Sequence, residues 1–257
     1  MGSSLEGTVA LVTGASSGIG AATAHHLADN GATVALVARR KDRLDTLVAD
    51  IEESSGTAFA VEADIGDRTQ AEESVAAVVK QAGRLDILVN NAGLMLLGPV
   101  VGADADDWDR MISVNVQGLL YTTRAALPHL LHAAENGPRQ VADVVNVSSV
   151  AGRFAGDGFG VYNLTKFGVN GFTESLRQEV TRRHVRVGVI EPGAVVTELT
   201  SHNTARIQAD MFEPFNERTE RLGADDIADG ITYMVTRPRH TSISELWIMP
   251  TEKQVQA

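Results

Sequence analysis

Short apolar segments rich in β-branched residues alternate along this chain with longer segments that have the 3.6-residue period of amphipathic helices. The apolar segments are hydrophobic at consecutive positions, which is typical of strands that are buried on both faces. Strands of this kind, separated by helices, predict an α/β fold with a doubly wound, parallel, seven-stranded sheet and helices on both faces. The predicted strands occupy residues 8–14, 32–39, 57–64, 85–93, 140–149, 185–193 and 245–250.

Helices are predicted between these strands, and the longest one contains Pro128, at which we expect a kink. The segment 198–222, after the sixth strand, is polar and has no strand pattern; a substrate lid would lie there in a doubly wound sheet. No linker divides the 257 residues, so we expect one domain, 1–257, with this lid. The predicted helices occupy 19–30, 42–53, 69–81, 106–134 and 159–183.

The composition argues against several classes of partner and site. A formal net charge of −11, with no long basic run, argues against nucleic acid and anionic membrane as partners. The absence of cysteine excludes disulfides, thiolate metal sites and cysteine nucleophiles. The uncharged run 87–103 contains glycine and proline and is no transmembrane helix, and the N-terminus lacks a signal-peptide pattern. We therefore expect a soluble cytoplasmic protein.

A glycine-rich loop, TGASSGIG at 13–20, joins the first predicted strand to the first helix. Gly14, Gly18 and Gly20 allow a tight turn and a close approach of the backbone to a ligand. The free N–H groups at the start of the helix suit a pyrophosphate. Because the spacing differs from the common G-x-G-x-x-G pattern, a simple turn is the alternative interpretation.

Two arginines, Arg39 and Arg40, follow the second predicted strand, where dinucleotide-binding folds distinguish between two cofactors. A carboxylate at this position binds a ribose 2′-hydroxyl, whereas a guanidinium accommodates a 2′-phosphate. Since no acidic residue stands at the strand end, the sequence favours NADP(H) over NAD(H). A basic, solvated surface turn is the alternative.

The segment YNLTK places Tyr162 and Lys166 one helical turn apart. Taken alone, such a pair is usually an ordinary amphipathic pair on a helix. Ser149 lies thirteen residues before Tyr162, and Asn115 lies in the longest predicted helix; each alone has a structural explanation as a cap or a backbone partner. Together with the glycine loop, they indicate one catalytic arrangement.

The order and spacing of these motifs resemble those of the short-chain dehydrogenase/reductase family. The segments NNAGLMLLGPV and ISELWIMPT are most similar to bacterial NADPH-dependent aldehyde and ketone reductases, a group that includes clavulanic aldehyde reductase and the serine/3-hydroxy acid dehydrogenases. The resemblance implies a Rossmann-type fold and a homotetramer or homodimer built on the two long helices. It covers about 5–250 and rests on the glycine loop, NNAG (90–93), Asn115, Ser149, Tyr162, Lys166 and PG (192–193).

The resemblance implies a role for each of four catalytic residues. Tyr162 would be the acid that protonates the carbonyl oxygen as hydride arrives. Lys166 would lower the pKa of Tyr162, because an ammonium close to a phenol in a desolvated cleft favours the phenolate. Ser149 would hold the substrate oxygen through a hydrogen bond, and Asn115 would hold a water in the proton relay.

The resemblance also implies a set of cofactor-binding residues, with the adenine near Asp64 and the nicotinamide near Thr197. Ser17 is a departure, because many NADP-preferring relatives have a basic residue just before the middle glycine. No histidine pair has the spacing of a known metal site, so we expect no metal. The implied cofactor set is Gly14, Ser16, Ser17, Gly18, Ile19, Gly20, Arg39, Arg40, Asp64, Asn91, Ala92, Gly93, Tyr162, Lys166, Pro192, Gly193 and Thr197.

We therefore expect an NADPH-dependent reduction of a small-molecule aldehyde or ketone to an alcohol. Two alternatives remain: NADP-dependent oxidation of a 3-hydroxy acid or serine-type substrate, and a nucleotide-binding regulator that has lost the chemistry. Several apolar residues predict a partly apolar substrate pocket, although they could equally be core or subunit contacts. They are Met95, Leu96, Leu97, Phe154, Met211, Phe212 and Phe215.

Overall fold

A computed structural model describes residues 4–212 and 220–252 of the chain. Its strands are β1 (Val9–Thr13), β2 (Thr33–Ala38), β3 (Thr57–Glu62), β4 (Ile87–Asn90), β5 (Ala142–Val147), β6 (Val185–Pro192) and β7 (Glu245–Ile248). Within the described residues they form one parallel sheet in the order β3-β2-β1-β4-β5-β6-β7. This order confirms the predicted doubly wound fold. The strand order reverses between β1 and β4, and a cleft is expected at the carboxyl ends of those two strands.

Helices cover both faces of the sheet, and one predicted helix is divided. Between α4 and α5, the segment Ser113–Gly118 is π-helical. The π-helical segment contains Asn115, whereas Pro128 lies inside α5, which continues on both sides of it, and the expected kink there stays a prediction. In the described part of the chain the helices are α1 (Gly18–Asp29), α2 (Lys41–Glu53), α3 (Arg68–Ala82), α4 (Ala105–Ile112), α5 (Leu119–Asn136), α6 (Gly160–Val180), α7 (Ala205–Ile207) and α8 (Ala224–Val235).

Two hydrophobic clusters lie on opposite faces of the sheet, and β1 contributes to both. Ala10 and Val12 belong to the cluster that includes side chains of α1, α2 and α8. Val9 and Leu11 belong to the cluster that includes side chains of α3, α5 and α6. Since side chains of a strand alternate between faces, burial on both faces requires the consecutive apolar positions seen in the sequence.

Helix α8 was not predicted from the sequence, although its signals are present. Ile227, Ile231 and Met234 are buried at helical spacing, and two aspartates lie in the first turn. Gly230 interrupts this pattern for a packing reason. A Cβ at Gly230 would lie 2.6 Å from Cδ1 of Ile248, so the glycine allows α8 to pack closely on the sheet.

The segment after β6 contains short helical elements and no strand among its described residues. A 3₁₀-helix spans Glu198–His202, α7 follows, and Gln208–Phe212 forms a π-helical turn. Leu222 then forms an isolated parallel bridge with Val195, which returns the chain to the sheet. Phe215, part of the predicted apolar pocket, lies outside the described residues. Across the described parts of the chain, no helix is long and apolar enough to cross a membrane.

A buried ion pair lies at the amino-terminal ends of β5 and β6. Arg186 of β6 donates to both carboxylate oxygens of Asp143 in β5, at 2.7 and 3.0 Å. The same guanidinium donates to the backbone carbonyls of Val235, Arg237 and Thr241, at 2.8 to 2.9 Å. These contacts hold the chain after α8 against the sheet, far from the carboxyl ends of the strands.

Candidate active site

The glycine loop approaches the chain after β4 so closely that two of its glycines leave no room for a side chain. A Cβ at Gly14 would lie 2.7 Å from Cα of Ala92, and Gly14 has a φ of +65°. A Cβ at Gly20 would lie 2.4 Å from the carbonyl oxygen of Gly14. The side-chain amide of Asn91 donates to the carbonyl oxygen of Thr13 at 2.9 Å and fastens the two loops together. This cradle fits the close backbone approach that a dinucleotide pyrophosphate requires.

A cleft of about 910 Å³ opens at the carboxyl ends of the strands. Its volume lies within the range of ligand pockets in proteins. Two predicted site residues do not line it: Gly20 is buried beneath the loop, and Asn115 lies deeper in the fold. The predicted residues that line it are Gly14, Ser16, Ser17, Gly18, Ile19, Arg39, Arg40, Asp64, Asn91, Ala92, Gly93, Ser149, Tyr162, Lys166, Pro192, Gly193 and Thr197.

The two arginines after β2 have different surroundings. Arg40 donates to the hydroxyl of Ser16 at 2.8 Å and to that of Ser17 at 2.9 Å, so its guanidinium lies against the glycine loop. It also donates to the Glu198 carboxylate at 2.9 Å. Arg39 is 72% exposed, and its guanidinium lies 3.7 Å from the Asp64 carboxylate. Arg40 is therefore the better-ordered candidate for binding an anion.

Tyr162 and Lys166 are buried together on α6 in the deep part of the cleft. Lys166 Nζ donates to the carbonyl oxygen of Val147 at 3.0 Å and lies 5.7 Å from the centroid of the Tyr162 ring. Ser149, which follows β5, accepts a hydrogen bond from the backbone N–H of Ala151 at 3.1 Å. Because the end of β5 lies beside α6, Ser149 is brought close to Tyr162 and Lys166.

Burial moves the pKa values of both titratable groups toward their neutral forms. It raises the pKa of Tyr162 to about 12, and a hydrogen bond with Ser149 opposes this change only partly. It lowers the pKa of Lys166 to about 8, since no carboxylate compensates for the loss of water. In the protein alone the net pKa of Tyr162 is therefore raised, not lowered as expected, and the stabilisation of a phenolate by Lys166 stays a prediction. Desolvation of the phenol is the largest cause of this shift.

The π-helical segment directs Asn115 into the interior rather than into the cleft. Its side-chain oxygen accepts from the N–H of Leu94 at 2.7 Å, and its side-chain nitrogen donates to the Leu94 carbonyl at 2.8 Å. The same nitrogen donates to the hydroxyl of Thr165 on α6 at 3.2 Å. The amide thus fixes the loop after β4 against the helix that carries Tyr162 and Lys166. The role in holding a water stays a prediction.

The predicted apolar pocket is only partly formed. Met95, Met211 and Phe212 line the cleft, together with Phe159 and Leu199, which were not predicted. Leu96 and Leu97 line a separate pocket on the other side of the same loop. Phe154 does not line the cleft and instead packs edge-on against Trp247, with ring centroids 5.9 Å apart. Leu96, Leu97 and Phe154 therefore do not face the cleft, and hydrophobicity alone does not predict the direction of a side chain.

Comparison with known proteins identifies the family. A protein-family model described as short chain dehydrogenase matches residues 8–208. The chain belongs to the short chain dehydrogenase family. It is an oxidoreductase, and the family expectation from the motifs is confirmed.

Three relatives illustrate how far this similarity extends along the short chain dehydrogenase fold. An uncharacterised oxidoreductase of Staphylococcus epidermidis is 35% identical, with 94% of this chain and 96% of that protein covered. Glycine betaine reductase ATRR of Emericella nidulans is 36% identical over 98% of this chain, which spans only 19% of that protein. Among solved structures, the closed form of serine dehydrogenase complexed with NADP⁺ is 31% identical and superposes with a TM-score of 0.87, covering 97% of this chain and 98% of that one.

Three groups of this short chain dehydrogenase site were missed by sequence reasoning. Glu198 could have been selected from the sequence, because it is the only acidic residue between Glu191 and Asp210. Arg43, on the first turns of α2, contacts Glu198, but nothing in its sequence context separates it from other surface arginines. The Val147 carbonyl has no sequence signal at all. In the ranges 4–212 and 220–252, no group of three His, Cys, Asp or Glu side chains is placed to hold a metal ion.

Raising the pH from about 8 to about 10 is expected to stabilise the wild type relative to Lys166→Met. The pKa of Lys166 is about 8 in the folded state against 10.5 when unperturbed, so the unfolded chain binds more protons in this window. The free energy of unfolding then rises with pH, by at most about 3 kcal/mol. Urea unfolding at several pH values measures this difference.

Lys41→Met is the matched control for that experiment, because Lys41 is exposed and pairs with Asp45 one turn along α2. Its stability difference from the wild type should not follow the same trend between pH 8 and pH 10. Equal pH dependence for Lys41→Met and Lys166→Met would contradict a lowered pKa at Lys166.

Proposed function

We propose that this chain reduces an aldehyde or ketone to an alcohol with NADPH, and that Tyr162 supplies the proton. One observation carries the proposal: the buried Tyr162 and Lys166 pair shares its cleft with the glycine loop and with Arg40. A proton donor, a dinucleotide cradle and a cation suited to phosphate thus surround one space. Side chains grouped in this way match the parts needed for hydride transfer to a carbonyl.

NADP(H) is the cofactor that the cleft fits best. The cradle at Gly14 suits the pyrophosphate, and Arg40, held against Ser16 and Ser17, suits a 2′-phosphate. The serine dehydrogenase structure similar to this chain contains NADP⁺. Arg39 and Asp64 would lie beside the adenosine, and Pro192, Gly193 and Thr197 beside the nicotinamide. When bound, NADPH would supply the hydride.

The chain's own residues would hold the carbonyl and provide its proton. With a pKa of about 12, Tyr162 keeps its proton at neutral pH and can give it to the alkoxide oxygen that develops in reduction. Ser149 would orient the same oxygen through its hydroxyl. Lys166, whose ammonium lies 5.7 Å from the tyrosine ring, would stabilise the phenolate left behind. Asn115 would act by holding Leu94 and α6 in register.

The space next to Tyr162 favours a partly apolar carbonyl compound. Met95, Phe159, Leu199, Met211 and Phe212 surround it, and the last three belong to the segment 198–222. We propose that this segment is the substrate lid of a single domain, 1–257. Its apolar side chains would exclude water from the reacting carbonyl.

Oxidation is the second candidate, and the similarity to serine dehydrogenase favours it. In that direction Tyr162 would accept a proton from the hydroxyl of a 3-hydroxy acid or serine-type substrate. Burial raises the pKa of Tyr162 and so favours the protonated phenol, the form that reduction requires. We therefore keep reduction as the first candidate, and rate assays in both directions distinguish the two.

We also propose that the chain forms a homodimer or homotetramer through α5 and α6. Leu164 and Phe167 lie one turn apart on α6, are 64% and 47% exposed, and form an apolar outer face. A face of this kind on a long helix is typical of a subunit contact. A second copy of the chain would cover it.

Tyr162→Phe is expected to lower turnover at least about a hundredfold while leaving NADPH affinity unchanged, because it removes the proton donor and little else. NADPH oxidation is measured with a panel of aldehydes, ketones and 3-oxo acids, and NADPH binding by fluorescence titration. Tyr121→Phe, a matched loss of one hydroxyl on α5, should retain full turnover.

Two results would contradict the reductase proposal. Wild-type turnover in Tyr162→Phe would remove Tyr162 as proton donor. A wild type that binds NADPH but reduces nothing in the panel, while it oxidises L-serine or 3-hydroxypropionate with NADP⁺, would reverse the proposed direction.

Arg40→Gln is expected to weaken NADPH binding about tenfold to a hundredfold and NADH binding at most about twofold. A charge-assisted hydrogen bond contributes roughly 1.5–3 kcal/mol, and only NADPH carries the 2′-phosphate. Direct binding titrations with both dinucleotides measure the effect. Arg68→Gln, which removes an exposed guanidinium paired with Glu72, is the control. Equal weakening of both dinucleotides would refute the role of Arg40.

Leu164→Asp is expected to reduce the assembly to smaller species in sedimentation velocity, because it places a charge in the proposed contact. Val101→Asp makes the same kind of change at a residue that is 90% exposed in a loop, and it should leave the assembly unchanged. A monomeric wild type would disprove the proposed contact.

A further inference from the structure

Glu198 lines the cleft and pairs with two arginines at the start of α2. It begins the 3₁₀-helix that follows β6. One carboxylate oxygen accepts from Arg40 at 2.9 Å, and the other accepts from Arg43 at 2.6 Å. Both arginines belong to the start of α2, and Arg40 lies against the glycine loop. Glu198 thus connects the segment after β6 to the arginines next to the glycine loop.

Thr197, the residue before Glu198, also contacts the glycine loop. A Cβ at Gly18 would lie 3.1 Å from Cγ2 of Thr197, so the segment after β6 touches the glycine loop. The Thr197 hydroxyl also accepts a hydrogen bond from the backbone N–H of Leu199 at 3.3 Å, which orients the first turn of the 3₁₀-helix. Residues 197–199 therefore cross the cleft between the glycine loop and the end of β2.

Most hydrogen-bonding groups of Arg40 and Glu198 are already occupied. The Arg40 guanidinium donates to Ser16, Ser17 and Glu198, and both oxygens of Glu198 accept from a guanidinium. These arginines lower the pKa of Glu198 to about 2, so its carboxylate is charged at every physiological pH. Arg40, Arg43 and Glu198 are each partly exposed to water. Their ion pairs are therefore weaker than buried ones, and another anion can replace the carboxylate.

We propose that Glu198 is a specificity-determining residue that occupies, as an internal anion, the arginines that a 2′-phosphate would bind. This inference rests on the proposed NADPH function. A 2′-phosphate carries nearly two negative charges and three acceptor oxygens, so it competes with a carboxylate for Arg40 and Arg43. A ribose 2′-hydroxyl carries no charge and leaves the carboxylate in place. Displacement of Glu198 by the phosphate releases the segment Glu198–His202 at the base of the lid.

Glu198→Gln is expected to tighten NADPH binding roughly threefold to tenfold, because it removes the competing charge and keeps the shape of the side chain. NADH affinity should stay within about twofold of the wild type. Direct titration of the full chain with NADPH and with NADH gives both dissociation constants without any turnover. Glu53→Gln is the matched control, since it makes the same change in net charge at the exposed end of α2, about 15 Å along the helix from Arg43.

Unchanged or weaker NADPH binding by Glu198→Gln would overturn the inference, because Glu198 would then only position the arginines. Equal tightening of NADPH and NADH would also overturn it, because Glu198 would then obstruct the cleft without regard to the 2′-phosphate. Both results leave the proposed function intact if the wild type binds NADPH. A wild type that binds neither dinucleotide overturns the proposed function and this inference together.

Discussion

The contact between the glycine loop and the chain after β4 determines the position of every other part of the site. Gly14 approaches Ala92 at backbone distance, and Asn91 joins the two loops through a hydrogen bond to Thr13. This contact occurs where the strand order reverses, so the helices after β1 and β4 diverge and open the cleft. A side chain at Gly14 would separate the two loops and displace both walls of that cleft.

Desolvation is the second constraint, and it determines the protonation state of the proposed catalytic pair. Helix α6 packs on β6 and contacts β5 through the side chains of Lys166 and Thr173, and this packing removes water from Tyr162 and Lys166. Burial alone favours a neutral phenol and a weakly held ammonium proton. The proposed reduction uses this state directly, because the step needs a proton at the phenolic oxygen. Packing and proton chemistry are in this sense one property of the fold.

The sequence predicted the sheet and its helices well, because buried strands and amphipathic helices leave a periodic pattern. It did not predict α8, where Gly230 is required by close packing and interrupts that pattern. It predicted which residue types form the site but not their state or orientation. The raised pKa of Tyr162, the inward amide of Asn115 and the reach of Glu198 across the cleft depend on distances between segments far apart in the chain.

Arg186 and Arg40 show how solvent access separates two uses of one side chain. Arg186 is buried and satisfied by backbone carbonyls and a buried carboxylate, so no solute can replace its partners without unfolding that edge. Arg40 has the same number of nitrogen donors but is satisfied by hydroxyls and a carboxylate that water also reaches. The first guanidinium is a permanent part of the architecture. The second is a receptor whose present ligand is another part of the same chain.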